Sequence, residues 1–270
     1  MARSRKKVDA QTRRILNVVP SAQTEDDWGL EIAVASGAIQ KATPQPAEVD
    51  LREDWWTVGD QGATGACVGF AATEGALRYH LVKSGKLEKN QHLSARFTWM
   101  ASKETDSSTA RPETFIENAG TSLKAGLNVG RKYGAVLESL LPFQLDHLMF
   151  TGDEDHFYSA AAQRKLSAYY NLGRKPRAWR TWLASHGPVV AAIGVDESWH
   201  RAGRHKGMLG RFSPSTIEGG HAVCIVGYRR DGRFIVRNSW GEKWGDRGFA
   251  YATEAWIKAA FLPESYGITV

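Results

Sequence analysis

The sequence predicts an α+β fold, with helices gathered in the first half and antiparallel strands in the second. Three observations carry this. A glycine-rich loop at 59–66 runs into a helix-patterned segment that ends near Gly85. A ten-residue apolar run at 219–228 is followed by an Asp-Gly turn and a second short apolar segment. The composition, 42% hydrophobic and 24% charged over 270 residues, is that of an ordinary globular chain. It argues against disordered, collagen-like and coiled-coil classes. No run approaches the roughly 18 apolar residues needed to cross a bilayer, so no membrane partner is expected. Two cysteines, Cys67 and Cys224, exclude a disulfide-built scaffold.

The net charge of +6 is concentrated at one end. Arg3, Arg5, Lys6, Lys7, Arg13 and Arg14 stand against Asp9 alone, leaving about +1 for the remaining 256 residues. A basic, solvated terminus on a nearly neutral body gives no reason to expect a nucleic-acid partner. Ile15 to Val19 is too short, and too soon stopped by Pro20, for the apolar core of a secretory signal. Trp28, Leu30, Ile32 and Val34 alternate with smaller or polar residues, which predicts a short strand. Ala42 to Pro46 reads as an extended linker. Residues 1–48 are therefore expected to be an extension, and the body to occupy 49–270.

Within the body, Gly59, Gly62 and Gly65 permit tight turns before Cys67. Phe70, Leu77 and Leu81 then follow helical spacing, with Lys83 in the last turn and Gly85 just beyond. Cys67 is thus placed at a helix amino terminus, where unpaired N–H groups and the dipole favour a thiolate. A small buried thiol is the alternative. A second helix is predicted through Leu123, Leu127 and Lys132, ended by Tyr133-Gly134, with Thr121 as a candidate cap. A further helical pattern covers 178–184, and His186 is expected to end it.

Gly219 to Tyr228 predicts a strand buried on both faces. Asp231-Gly232 predicts a hairpin turn, and Phe234 to Arg237 the returning strand. His221 opens the first strand and Asn238 closes the second, which brings them to one end of the hairpin. An asparagine carbonyl there can accept from one imidazole nitrogen and leave the other for a thiol. Trp244 to Gly248 predicts a turn before Phe249-Ala250-Tyr251. Cys224, inside the apolar strand, is expected to be an inert core thiol. No metal-ligand spacing, phosphate loop or dinucleotide fingerprint is present, so no metal and no cofactor are expected.

Gln61 through Cys67, Gly220-His221-Ala222-Val223 and Asn238-Ser239-Trp240-Gly241, in this order and with 154 residues from cysteine to histidine, resemble the papain-like cysteine proteases. The resemblance spans roughly residues 49–268. It implies two lobes, about 50–150 mainly helical and about 151–265 mainly β and barrel-like, with the active site in the cleft between them. It implies Cys67 as nucleophile, His221 as its base and later acid, Asn238 as orienter of His221, and the Gln61 amide with the Cys67 N–H as oxyanion hole. Trp240 would shield the Asn238–His221 bond, plain packing being its other reading. Gly120 and Thr121 would contact the substrate backbone, a simple helix start being the alternative.

There are departures. Thr64 stands where the family usually has a disulfide cysteine, and Val68 where a tryptophan usually follows the nucleophile. Absence of structural disulfides favours a reducing compartment, a cytoplasmic location. The usual long helical pro-region is not evident before Val49. The chain stops at Val270, where relatives continue with residues that help floor the main specificity pocket, so specificity does not transfer. The implied function is a cysteine endopeptidase acting on protein or peptide substrates. An acyltransferase using the same thioester, and a papain-fold binding module without activity, are the alternatives. The extension is expected either to regulate the cleft from within or to form a surface tail.

Overall fold

The fold follows from which apolar runs are long enough to be buried on both faces. The structure, a computed structural model, describes residues 14–40, 45–105, 119–144 and 152–270. The basic cluster at 3–13 and most of the 42–46 linker lie outside these.

The elements in chain order are α1 (Leu30–Ala35), β1 (Val49–Asp50), α2 (Cys67–Gly69), a π-helical stretch (Phe70–Leu77), α3 (Arg78–Lys83), α4 (Ala95–Thr105), α5 (Leu123–Lys132), α6 (Glu154–Ala162), β2 (Ala168–Asn171), α7 (Pro176–Ser185), β3 (Val189–Val195), α8 (Glu197–Arg201), β4 (Gly219–Tyr228), β5 (Phe234–Arg237), β6 (Phe249–Ala252), α9 (Glu254–Ala260) and β7 (Phe261–Thr269). Short 3-10 turns connect some of them. The α+β class is as the sequence predicts.

The strands form one antiparallel sheet in the order β2-β7-β3-β4-β5-β6, with β1 also paired to β4. β3 and β4 are apolar throughout because the sheet is covered on both sides. Val189, Ala191, Ile193, Val223 and Ile225 face a core built on Trp179, Trp182 and Trp199. Val190, Ala192, Ala222, Cys224 and Val226 face the helical lobe, where they meet Cys67, Ala71, Ala72 and Leu77. Gly75 lets the long helix approach the sheet: a Cβ there would lie 3.0 Å from Cys224 Cβ.

That long helix, α2 through α3, is continuous from Cys67 to Lys83. It is buried from Cys67 to Tyr79, and Gly85, with φ +72°, lies just past its end. Arg78, fully buried, pairs with Glu74 one turn earlier at 3.1 Å and donates to the carbonyls of Gln91, Trp55 and Lys89. A buried guanidinium requires this saturation, because an unpaired one would be strongly destabilising. α7 covers 178–184 and is capped at its end by His186, as predicted.

Two expectations are corrected. Residues 30–35 form a helix, not a strand. The alternation was fortuitous: Trp28 and Ile32 are 55% and 58% exposed, while Leu30, Ala33 and Val34 pack on the core at helical spacing. The cap of α5 is Ser122, whose Oγ accepts from Ala125 N–H at 3.1 Å, not Thr121. Neighbouring hydroxyls compete for a cap, and only the one in the N-cap position reaches the N3 amide.

Candidate active site

Two elements bring the chemistry together. The loop 59–66 delivers Cys67 to the start of α2, and the β4–β5 hairpin delivers His221 and Asn238. His221 pairs with Ile193 of β3, and Asn238 follows Arg237, which pairs with Cys224. The two side chains therefore meet: His221 Nε2 lies 2.7 Å from Asn238 Oδ1. That oxygen also accepts from Ser239 N–H at 2.8 Å, which fixes the amide orientation. Nε2 must then be the protonated nitrogen. Nδ1 is left as a buried lone pair with no hydrogen-bond partner among the described residues.

Cys67 is fully buried, as is His221. Its sulfur is approached by the backbone N–H groups of Ala222, Val68 and Cys67 itself, all of which favour the thiolate. The helix-terminus effect anticipated from sequence is thus present. It is outweighed by burial, which pushes the thiol up to about 11. This corrects the expectation of an acidic thiol. Burial likewise pulls His221 down to about 4, against the favourable bond from Asn238, and the Arg14 cation lowers it further. Burial thus disfavours the charged form of both groups in this covered state. Cys224, equally buried, is pushed up to about 12, which fits a core thiol. Both cysteines are free.

Gln61, in the loop that leads into Cys67, is fully buried. Its Nε2 donates one hydrogen to Thr64 O at 2.8 Å, which leaves the second for another acceptor. Its Oε1 accepts from Ser239 Oγ at 2.7 Å, and its N–H donates to Ser239 O at 2.8 Å. Ser239 therefore ties the residue after Asn238 to the residue proposed for the oxyanion hole, across the two lobes. In the sequence Ser239 stands only as a member of the Asn238-Ser239-Trp240-Gly241 motif, with no role of its own. Arg237, fully enclosed, donates to the carbonyls of Trp56 and Thr57 at 2.7 and 2.6 Å and draws the same two segments together.

Trp240 is buried, with its ring centroid 5.4 Å from that of His221. A second indole, Trp199, meets His221 edge-on at 5.8 Å and stacks on Trp244 at 4.8 Å. No local pattern around Trp199 announces this role. Both indoles thus pack against the buried imidazole.

Gly120 and Thr121 also lie in this region, and their contacts are with the chain's own extension. Val19 N–H donates to Thr121 O at 3.1 Å, and Val18 N–H to Gly220 O at 3.2 Å. Asn17 forms a parallel bridge with Gly220. A Cβ on Gly120 would sit 1.9 Å from Asn17 O, so only glycine admits the segment. At one end Arg14 pairs with Asp60. At the other, Ser21 N–H donates to Glu264 Oε1 at 3.1 Å, and Lys124 Nζ holds Asp27 at 2.7 Å. Residues 14–21 thus lie along the glycines that flank Cys67 and His221.

Among the described residues no three histidine, cysteine or carboxylate side chains converge as a metal-holding group. None of their helices is long and apolar enough to cross a membrane.

A family model described as papain family cysteine protease matches residues 45–260. Cathepsin F of Drosophila melanogaster is 26% identical over 242 residues, covering 82% of this chain and 36% of that protein. Cathepsin J of Rattus norvegicus is 28% identical over 232 residues, covering 80% of this chain and 64% of that protein. The chain spans about a third to two thirds of the length of these curated relatives. Among solved structures, xylellain, a cysteine protease from Xylella fastidiosa, superposes with a TM-score of 0.77 at 21% identity, over 96% of this chain and 97% of that one. Digestive procathepsin L 3 from the Tenebrio molitor larval midgut gives 0.62 at 20% identity, over 96% and 76%. The structural likenesses establish the papain-like fold, and the family match over most of the chain goes further: this chain belongs to the papain family of cysteine proteases.

Proposed function

We propose that the protein is a cysteine endopeptidase whose own residues 14–21 cover its cleft. The observation that carries the reading is the Nε2–H tautomer of His221, held by Asn238, with a bare Nδ1 on the strand whose next residue, Ala222, touches the Cys67 sulfur. That tautomer is the one able to take a proton from a thiol.

In the proposed reaction Cys67 transfers its proton to His221 Nδ1, and the thiolate attacks the scissile carbonyl. The free Gln61 amide hydrogen and the Cys67 N–H receive the developing oxyanion, a contribution on the order of 3 kcal/mol per donor. His221 then returns the proton to the leaving amine, and a thioester remains on Cys67. Water, deprotonated by the same nitrogen, hydrolyses the thioester and regenerates the thiol. Gly120 and Thr121, which now hold the extension's backbone, would hold the substrate's in its place.

The covering segment works against this chemistry in two ways. It occupies the backbone-binding glycines, and its Arg14 disfavours the imidazolium. The peptidase reading is tested with Cys67→Ala, assayed on a mixed peptide library and with a thiol-directed epoxide label. Loss of both activities is expected. Hydrolysis that survives the substitution would refute it.

A further inference from the structure

The Arg14 side chain occupies a built site at one end of the cleft. Its guanidinium faces the Asp60 carboxylate with both terminal nitrogens, Nη2 to Oδ2 at 3.3 Å and Nη1 to Oδ1 in closer contact. Nη1 also donates to Gly62 O at 3.0 Å, and Nη2 to Trp240 O at 3.5 Å. The guanidinium carbon lies 5.5 Å from the centre of the Trp240 ring. The site thus offers a carboxylate, two carbonyls and an indole face, the set of groups that recognises a planar cation. It is also held in shape without Arg14. Gly62 N–H donates to Asp60 Oδ1 at 2.8 Å, and Gly241, where a Cβ would come within 3.2 Å of Oδ2, leaves the carboxylate its room.

Its position gives it a role in substrate selection. Trp240 packs on His221, the group that hands a proton to the departing amine in the proposed mechanism, so this end of the cleft receives the leaving half of a substrate. Gly120 and Thr121 meet the covering segment further along, at Asn17 and Val19. Asn17, which lies over the glycines flanking the catalytic groups, is three residue steps from Arg14, a reach of about 10 Å in extended chain.

We infer that Asp60, the Trp240 indole and the carbonyls of Gly62 and Trp240 form a subsite for a basic side chain within the first three residues beyond the scissile bond, and that Arg14 fills it as an internal surrogate. This inference rests on the peptidase reading for its catalytic meaning, while the binding site itself does not. Once the covering segment gives way, the exposed Asp60 selects arginine or lysine in the leaving half of the substrate. An acidic residue there meets the carboxylate and is disfavoured.

The test uses the full chain carrying Arg14→Ala, which vacates the site. Otherwise identical peptides place Arg, Ala or Glu at each of the three positions after the scissile bond. At one position kcat/KM for the Arg peptide should exceed that for the Ala peptide at least tenfold, with the Glu peptide poorest. The added substitution Asp60→Asn keeps an acceptor for Gly62 and should bring the Arg-to-Ala ratio to within twofold. A parallel titration with the Cys67→Ala, Arg14→Ala chain reads binding alone by fluorescence anisotropy. Cleavage without an Arg preference, or a preference that survives Asp60→Asn, overturns the subsite and leaves the peptidase. Arg-dependent, Asp60-dependent binding without cleavage supports the subsite and removes the peptidase. Asp27→Asn is added to the binding chain to loosen the segment's other anchor, and equal or undetectable binding of both peptides to that chain overturns the subsite.

Discussion

Replacing Asn238 with alanine probes the orientation of His221 with little else in contact. The substitution removes one oxygen that serves two buried donors, His221 Nε2–H at 2.7 Å and Ser239 N–H at 2.8 Å. A buried donor left without its acceptor costs about 1–3 kcal/mol, so with two donors stability should fall by about 2–6 kcal/mol. The kinetic effect has a separate origin. Without the acceptor, the imidazole loses its preference for the Nε2–H tautomer and the ring loses its fixed angle, a loss of about 1–3 kcal/mol and hence roughly 5- to 150-fold in kcat. Asn238→Asp keeps an acceptor at the same place and adds a charge that favours the imidazolium. Its basic limb, where His221 loses its proton, should therefore move to higher pH. The assay is kcat and KM across pH for both variants, with thermal melting alongside. If Asn238→Ala keeps kcat within twofold and melts with the parent, the orientation role of Asn238 is wrong.

Three further outcomes follow from separate contacts. Ser239→Ala removes the 2.7 Å bond to Gln61 Oε1 and should lower kcat about 3- to 10-fold, with no further loss when Gln61 is already alanine, as a double-mutant cycle will show. Asp27→Asn weakens the buried tie to Lys124 and Tyr266, at 2.7 and 2.8 Å, and should raise initial peptidase rates of the full chain about tenfold; unchanged rates would mean the segment does not limit access. His80, partly buried in the last turn of α3 and close to His186, is pulled down to about 4 chiefly by that burial. A histidine depressed in the folded state contributes fully above the unfolded value near 6.5, and the contribution is lost as pH falls from there toward 4. Denaturant unfolding at pH 7 and pH 5 should therefore differ by about 2 kcal/mol more in the parent than in His80→Gln.

What was legible in the sequence was local. The Asp231-Gly232 turn, with φ +86° at Gly232, closes the hairpin, and the pairing, shifted by one residue between Ile225 and Gly227, brings Asn238 to the end of the hairpin that carries His221. The loop into Cys67 and the end near Gly85 are equally local. The rest depends on partners far along the chain. β7 contains Pro263, Glu264 and Gly267 and shows no period, yet it pairs with both β2 and β3. Nothing near it in sequence encodes that. A place for the extension in the cleft is one of the two readings the sequence offers, but its contacts are not legible before folding: Arg14 finds Asp60, and Val18 finds Gly220, across 46 and 202 positions. The acidity of Cys67 was misjudged for the same reason. Its helix terminus is local, but the burial that overrides it is built by distant elements, β4 among them. Short alternations such as Trp28 to Val34 carry too few residues to separate a strand from a helix of two turns.

The central claim is that the Cys67 thiol and the His221 imidazole act as one proton-sharing pair once the covering segment loosens. Alkylation of Cys67 by iodoacetamide, followed by mass spectrometry that separates it from Cys224, tests this directly in the Asp27→Asn chain with and without His221→Ala. The pair should keep Cys67 reactive well below pH 7, and loss of the imidazole should confine its reactivity to the ordinary thiol range near 8.5 or above. Superimposable pH profiles for the two chains would contradict the claim.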